Sequence, residues 1–220
     1  MSEDQWTKID TYTSTLMVEH DAALDLAAKA SAEAGLPEIA VAPNQGKFLH
    51  LLARTHGARR ILEIGAFGGY SAIWLARALP AGGSLTTLEA EPSFAEVARR
   101  NIDNAGLSDV VDLRVGKALD TLPELAGGEP FDFVFIDADK ANIPEYFGWA
   151  LKLTRPGSVI VVDNVVLDGL VVEADSPNPA VQGVRRFNQL VADEPRVTAT
   201  TVQTVGSRGH DGFCLMLVES

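Results

Sequence analysis

Three aspartates, an asparagine and a lysine stand where apolar runs end. Phe131-Asp132-Phe133-Val134-Phe135-Ile136 leads into Asp137-Ala138-Asp139-Lys140, and Val159-Ile160-Val161-Val162 leads into Asp163-Asn164. Short runs of this kind suit parallel strands covered on both faces. Neighbouring parallel strands would bring Asp137 and Asp163 to one edge of a sheet, within reach of a single ion. Two carboxylates and the amide oxygen of Asn164 make an all-oxygen donor set. Such a set suits a hard divalent cation, Mg²⁺ or else Mn²⁺ or Ca²⁺, with positions left open for substrate. Lys140 follows Asp137 by three residues, about one turn if the segment is helical. A nearby cation can depress an amine's pKa and let it act as a general base near neutral pH. The bland alternatives are acids that cap the following helices and a solvated lysine.

A second stretch points to the same edge. Ile61-Leu62-Glu63-Ile64-Gly65-Ala66-Phe67-Gly68-Gly69-Tyr70-Ser71 reads as a buried strand, a glycine-rich turn and the start of a helix. In open α/β sheets such a turn faces the crevice that binds nucleotides. A dinucleotide fingerprint needs G-x-G-x-x-G, and Phe67 stands at its second glycine, so pyrophosphate is disfavoured. Glu63 would repel a phosphate but could accept a hydrogen bond from a cationic or amino-bearing ligand. Glu89, at the end of Leu85-Thr86-Thr87-Leu88, is placed to accept both ribose hydroxyls. Together these features point to S-adenosylmethionine.

The elements that must carry these residues alternate. Strands are expected near 60–64, 84–89, 110–115, 131–136 and 158–163, with helices near 70–79, 92–105, 117–125, 142–153 and 180–193, the pattern of a parallel sheet with right-handed crossovers. Two last runs, Val197 to Val205 and Phe213 to Val218, have no helix between them and should pair antiparallel. Residues 4 to 35 hold two helical patterns, the clearer carried by Ala22, Ala23, Leu26, Ala27 and Ala30. They lid the site, pack against another subunit, or form an outer layer. A further helix over 44–56 should turn Phe48, Leu49, Leu51 and Leu52 inward. The apolar loop from Val165 to Pro179, directly after the metal candidates, is expected to cover the acceptor.

Composition narrows the partners. The chain has 220 residues, 46% of them hydrophobic, and a net charge of −12. No basic footprint invites nucleic acid or an anionic membrane surface, and no run approaches the ~20 apolar residues needed to span a bilayer. The single Cys214 cannot form an internal disulfide, and the first residues are polar where a signal peptide would be apolar. A cytoplasmic location is expected. His20, His50, His56 and His210 show no ligand spacing.

Taken together, Pro43-Asn44-Gln45-Gly46-Lys47-Phe48-Leu49, the LEIGAFGGYS turn, Leu88-Glu89-Ala90-Glu91-Pro92, the IDADKAN segment and Val162-Asp163-Asn164-Val165 resemble the cation-dependent O-methyltransferases of the catechol and caffeoyl-coenzyme A type. The resemblance runs from about residue 36 onward. It implies a class I methyltransferase, Rossmann-like α/β fold with a seven-stranded, mostly parallel sheet, and a homodimer. It implies that Glu63 serves the methionine end of the cofactor, that Gly65 and Ala66 approach it through backbone, and that Ser71 follows at the helix start. Glu89 would hold the ribose and Ala118 would lie by the adenine, with Val41, Asp137 and Asp139 bordering the cofactor. The metal set falls on Asp137, Asp163 and Asn164, and the base on Lys140. Departures concern the acceptor side: the loop after Asn164 lacks a tryptophan, and Ile143 stands where relatives commonly have tyrosine.

The expectation is therefore one domain over 1–220, with N-terminal helices to 57 and a sheet core from 58. It would transfer a methyl group to a hydroxyl of a small aromatic vicinal diol, with Lys140 and Asp137 catalytic. The alternatives are a metal-independent small-molecule methyltransferase and a non-catalytic protein that binds an adenosyl ligand.

Overall fold

The computed structural model describes residues 2–220. Seven strands form one sheet in the order β3-β2-β1-β4-β5-β7-β6: β1 Arg60–Ile64, β2 Ser84–Glu89, β3 Val111–Val115, β4 Phe131–Ile136, β5 Thr154–Asp163, β6 Val197–Gly206 and β7 Gly209–Val218. The first five are parallel, and β7 pairs antiparallel with both β5 and β6. The strand order reverses between β1 and β4. That is the point where an open α/β sheet leaves a crevice at its carboxyl edge.

β4 is buried at every position and β1 at all but its first, which is why both read as continuous apolar runs. One face packs Leu62, Val134 and Ile160 against α7 Ile143–Leu153 and α8 Pro179–Asp193. The other packs Ile61, Phe133 and Val161 against α3 Pro43–His56 and α4 Tyr70–Ala76. The alternation within each strand thus feeds two separate cores.

Two expected core faces are corrected. On α3, Leu49 and Ala53 are buried, whereas Leu51 is 51% exposed and Phe48 packs on Phe213 at the edge of a cavity. On α2, Ala22–Glu33, Leu24 and Ala27 face inward and Leu26 faces solvent. In both helices the inward stripe is narrower than the apolar composition suggested: α2 rests on α4 and on α5, Pro92–Asn104, and α3 on α4 and one face of the sheet. Leu24 and Ala27 pack on Ile73 and Trp74. α1, Glu3–Met17, buries none of its residues and leans on β6 and α3.

The final hairpin also differs from expectation. β7 begins at Gly209 rather than near Phe213, and Gly206 pairs with Gly209 across a two-residue turn. Gly209 has φ +87°, a conformation that closes the turn without strain on a side chain. Pairing therefore continues well beyond the end of β5. Among the described residues no helix is long and apolar enough to cross a membrane.

Candidate active site

The glycine turn is held from two sides. Gly65 has φ +104°, and a Cβ there would lie 2.1 Å from the Asp137 carbonyl oxygen. The missing side chain lets the ends of β1 and β4 close on each other, and Asp137 N donates to Ile64 O at 2.9 Å. Phe67 takes φ +49°, an unfavourable value for an aromatic residue. Glu89 secures it, accepting Phe67 N–H on Oε2 at 2.7 Å and Glu91 N–H on Oε1 at 2.9 Å.

Glu89 thus has a structural task besides the ribose contact expected from sequence. It is 8% exposed and part of the turn's own scaffold. Each carboxylate oxygen keeps a second lone pair for a ribose hydroxyl. Glu89→Ala should then weaken cofactor binding by about 1.5 to 3 kcal/mol and also lower the melting temperature, since two backbone donors lose their acceptor. Calorimetric titration and thermal melts measure the two effects separately. Wild-type affinity would remove Glu89 from the site.

A cavity of about 610 Å³ opens above this turn. Its wall includes Val41, Gly65, Ala66, Ser71, Glu89 and Ala118, with Asp137, Asp139 and Lys140 along the β4 end. The structure therefore gathers the cofactor candidates, with one exception: Glu63 lies fully buried beneath the wall rather than in it. Thr87 Oγ1 donates to Glu63 Oε2 at 2.6 Å, and Oε1 has no partner among the described residues. Burial pushes its carboxyl up to about 7, with Asp137 and Glu89 adding to the rise and the Ser71 and Thr87 hydroxyls opposing it.

A raised carboxyl of this kind is protonated below pH 7 in the free protein and ionises when a cationic ligand binds nearby. Affinity for S-adenosylmethionine should accordingly fall as pH drops below 7, by up to about tenfold per unit, and level off above it. Titrations between pH 5.5 and 7.5 at saturating Mg²⁺ measure this slope. Glu63→Gln should flatten it, and an unchanged slope in that variant would assign the proton elsewhere.

Phe67 and Phe94 complete the cavity as an edge-to-face pair 5.1 Å apart, beside Glu89 and Ala118. Phe67 was read from sequence only as a residue that disfavours pyrophosphate, and Phe94 was not singled out. Phe94 belongs to α5, Pro92–Asn104, where an aromatic residue in the first turn reads as ordinary packing. Tyr146 was likewise missed. Its hydroxyl donates to Asp139 Oδ1 at 2.5 Å while Asn142 Nδ2 donates to Oδ2 at 2.6 Å, so Asp139 borders the cavity with both oxygens engaged. Ile143, the position of the expected tyrosine, is wholly buried.

The register Ile136↔Val162 places Asp137 and Asp163 side by side at the next step. Lys140 Nζ donates to Asp137 Oδ1 at 2.7 Å. Asp163 is 4% exposed and accepts Gln45 Nε2 at 2.5 Å and Asn164 N at 2.9 Å. Burial pushes the Asp163 carboxyl well above its usual range, and the charges of Asp137 and Asp211 push it the same way against Lys140. The cluster thus carries more negative charge than its own groups neutralise. Asn164 adopts φ +56°, a backbone strain that keeps its amide at the cavity wall. Among the described residues no group of three or more His, Cys, Asp or Glu forms a metal cluster, but this set has only two carboxylates and fills its third place with an amide. Its chemistry fits a hard divalent cation.

A second cavity, about 290 Å³, lies on the other side of this cluster. Asp163, Phe48 and Phe213 line it, and the hairpin residues 204–206 close one side. Asn164 and Asp211 border both cavities. Asp211 was not foreseen. Its Oδ1 accepts N–H groups from Val166, Leu167 and Gly212 at 3.0, 3.1 and 2.9 Å, which pins the strained segment after Asn164. The loop expected to cover the acceptor is consequently drawn down: Leu167 reaches the larger cavity, and the hairpin supplies the wall of the smaller one.

Sheet order, antiparallel last strands and a glycine-turn cavity with an acid at the end of β2 define a class I S-adenosylmethionine-dependent methyltransferase. The O-methyltransferase family pattern matches residues 13–217, and the chain belongs to that family. It is 51% identical over 221 residues to a catechol O-methyltransferase of Niastella koreensis, with 100% of each chain covered. Among solved structures, the O-methyltransferase TomG of Streptomyces achromogenes, in complex with S-adenosylmethionine, superposes with a TM-score of 0.97 at 57% identity, covering 100% of both chains. An O-methyltransferase of Bacillus cereus bound to S-adenosylhomocysteine gives 0.98 at 53% identity, covering 99% of this chain and 100% of that one. The protein is an S-adenosylmethionine-dependent O-methyltransferase.

Proposed function

We propose that this enzyme methylates one hydroxyl of a small aromatic vicinal diol, assisted by a divalent cation on Asp137, Asp163 and Asn164. The observation that carries the reading is the meeting of two cavities at this trio. The larger has the volume and lining for the cofactor, and the smaller offers an aromatic wall to an acceptor. Naming of the Niastella koreensis relative as a catechol O-methyltransferase supports the same acceptor class.

Glu89 would hold the ribose, the Phe67–Phe94 pair and Ala118 the adenine, and Ser71 with the Glu63 carboxylate behind it the amino end. A cation bound at the trio would supply Lewis acidity, lowering the pKa of the diol hydroxyls. Lys140, at the junction with Asp137, takes the proton from the hydroxyl that is methylated. The chain's further contribution is positioning, which brings the nucleophilic oxygen in line with the methyl group and excludes water.

Incubation with methyl-labelled S-adenosylmethionine, Mg²⁺ and a panel of catechols, hydroxycinnamates and flavonoids tests class and acceptor together. Label should appear on vicinal diols and not on their mono-hydroxy analogues. Equal labelling of both would favour a metal-independent methyltransferase, and labelling of none a binding protein.

α1 carries Ile9, Tyr12, Leu16 and Met17 exposed along one stretch, and this surface favours a homodimer that covers it. Sedimentation of the full chain against an Ile9→Lys, Leu16→Lys variant would reveal a monomer if the helix forms the contact.

A further inference from the structure

We propose that the smaller cavity contains an anion subsite formed by Arg208, and that the acceptor is an aromatic vicinal diol bearing a carboxylate. This deepens the diol reading above and rests on it. The argument begins with the hairpin. Asp163 pairs with Phe213, yet β6 and β7 stay paired out to Gly206↔Gly209. Four residue steps therefore overhang the carboxyl edge of the sheet, a reach of about 13 Å. Arg208 sits at the tip and lines the same cavity as Asp163 and Asn164, where it is the sole basic residue of the wall among the described residues.

The tip is fastened on two sides. Arg208 Nη1 donates to Glu38 O at 2.5 Å, and Asp10 on α1 accepts Ser207 N–H at 2.7 Å. One hydrogen bond positions the guanidinium and leaves most of its five donors unspent. The acids of the wall do not use them. Asp10 is shared between Asn44 and Ser207, Asp163 is held by Gln45 and its neighbour's backbone, and Asp211 is held by three backbone donors. A planar, permanently charged fork at a cavity rim is suited to bidentate contact with a carboxylate.

Phe48 and Phe213, with ring centroids 5.0 Å apart, line the same cavity as Arg208 and Asp163. The wall thus presents oxygen donors for a diol, an aromatic surface for a ring and a cation for an acid group. A neutral catechol would use the first two and leave the third idle. The hairpin, absent from any pattern of cofactor residues, becomes the element that selects the acceptor.

Steady-state kinetics with 3,4-dihydroxybenzoate and its methyl ester, at saturating Mg²⁺ and S-adenosylmethionine, test the subsite. The wild-type enzyme should prefer the acid by about tenfold or more in kcat/KM, mainly through KM. Arg208→Gln should lower kcat/KM for the acid by about 10- to 100-fold and for the ester by less than about threefold, with Arg208→Lys intermediate because it keeps charge but not the fork. No wild-type preference for the acid, or equal losses on acid and ester in Arg208→Gln, would overturn the subsite and leave Arg208 a latch for the hairpin. Turnover of the ester alone has the same meaning. Failure of both compounds and of catechol itself would overturn the diol reading, and the subsite with it.

Discussion

Lys140→Ala should lower turnover of the best acceptor by about 10²- to 10⁴-fold while affinity for S-adenosylmethionine stays within a few-fold of wild type. The amine lies in the wall of the larger cavity, 2.7 Å from Asp137 Oδ1 and mostly shielded from solvent. Two roles are open to a lysine there: taking a proton from the acceptor, or balancing the negative cluster. Lys140→Arg separates them. Arginine restores the charge but does not deprotonate in proteins, so it cannot serve as a base. If Lys140 is the base, the Arg variant is as slow as the Ala variant. Recovery of most activity by Arg would make the residue a counter-charge. Both variants need assay across a Mg²⁺ titration, because removing a cation from beside Asp137 strengthens the site's attraction for another.

Asp163→Ala should abolish most activity, by about 10²-fold or more, and excess Mg²⁺ should restore little of it, since three protein ligands leave few to spare. Asp163 is the clean probe because it lines the smaller cavity, proposed for the acceptor, whereas Asp137 lines the larger one, proposed for the cofactor. Cofactor affinity is therefore expected to survive. Stability gives an independent readout. A carboxyl whose folded pKa is raised from 3.8 to about 7 costs stability as pH climbs between those values, and the loss is complete and constant above them, because the fold disfavours the charge. In EDTA at pH 8 the variant should melt no lower than wild type, apart from any loss from freeing Gln45. Mg²⁺ should raise the melting temperature of wild type by binding the native state, and leave Asp163→Ala unmoved. A similar Mg²⁺ shift in both would place the ion elsewhere.

Much of this arrangement was legible from local chemistry. Gly65, by lacking a side chain, and Gly68 and Gly69 after it mark a turn, and Asp137, Asp163 and Asn164 sit at the ends of short apolar runs that suit a buried parallel sheet. Adjacent parallel strands then convert two sequence positions into one cluster. What escaped detection depends on register and long-range packing. Glu89 was expected only to hold a ribose, since nothing local shows that Phe67 and Glu91 direct their N–H groups onto it. Asp211 lies 45 residues from Val166, and its hold on that loop appears only when β7 lies beside β5. The hairpin tip, Gly206-Ser207-Arg208-Gly209, drew no functional expectation because it carries every signal of a turn. Its value comes from where the longer pairing of β6 and β7 carries it.

Helix faces failed for a related reason. Leu26 and Leu51 satisfy helical spacing, yet the inward stripe is set by which neighbours are present, α4 and α5 for α2 and α4 with the sheet for α3. Exposed apolar positions on α1 belong to the same class of question, answerable by the oligomeric state rather than by periodicity.

Metal-assisted transfer to a vicinal diol is tested most directly by chelation. Methyl transfer to the best diol is measured in EDTA, then after Mg²⁺ is restored, with S-adenosylmethionine affinity determined in both conditions. Turnover should fall to background in EDTA and return with Mg²⁺, while cofactor affinity changes by no more than a few-fold. Undiminished turnover in EDTA would contradict the account, leaving the Asp137, Asp163 and Asn164 trio a structural feature and Lys140 without the ion proposed beside it.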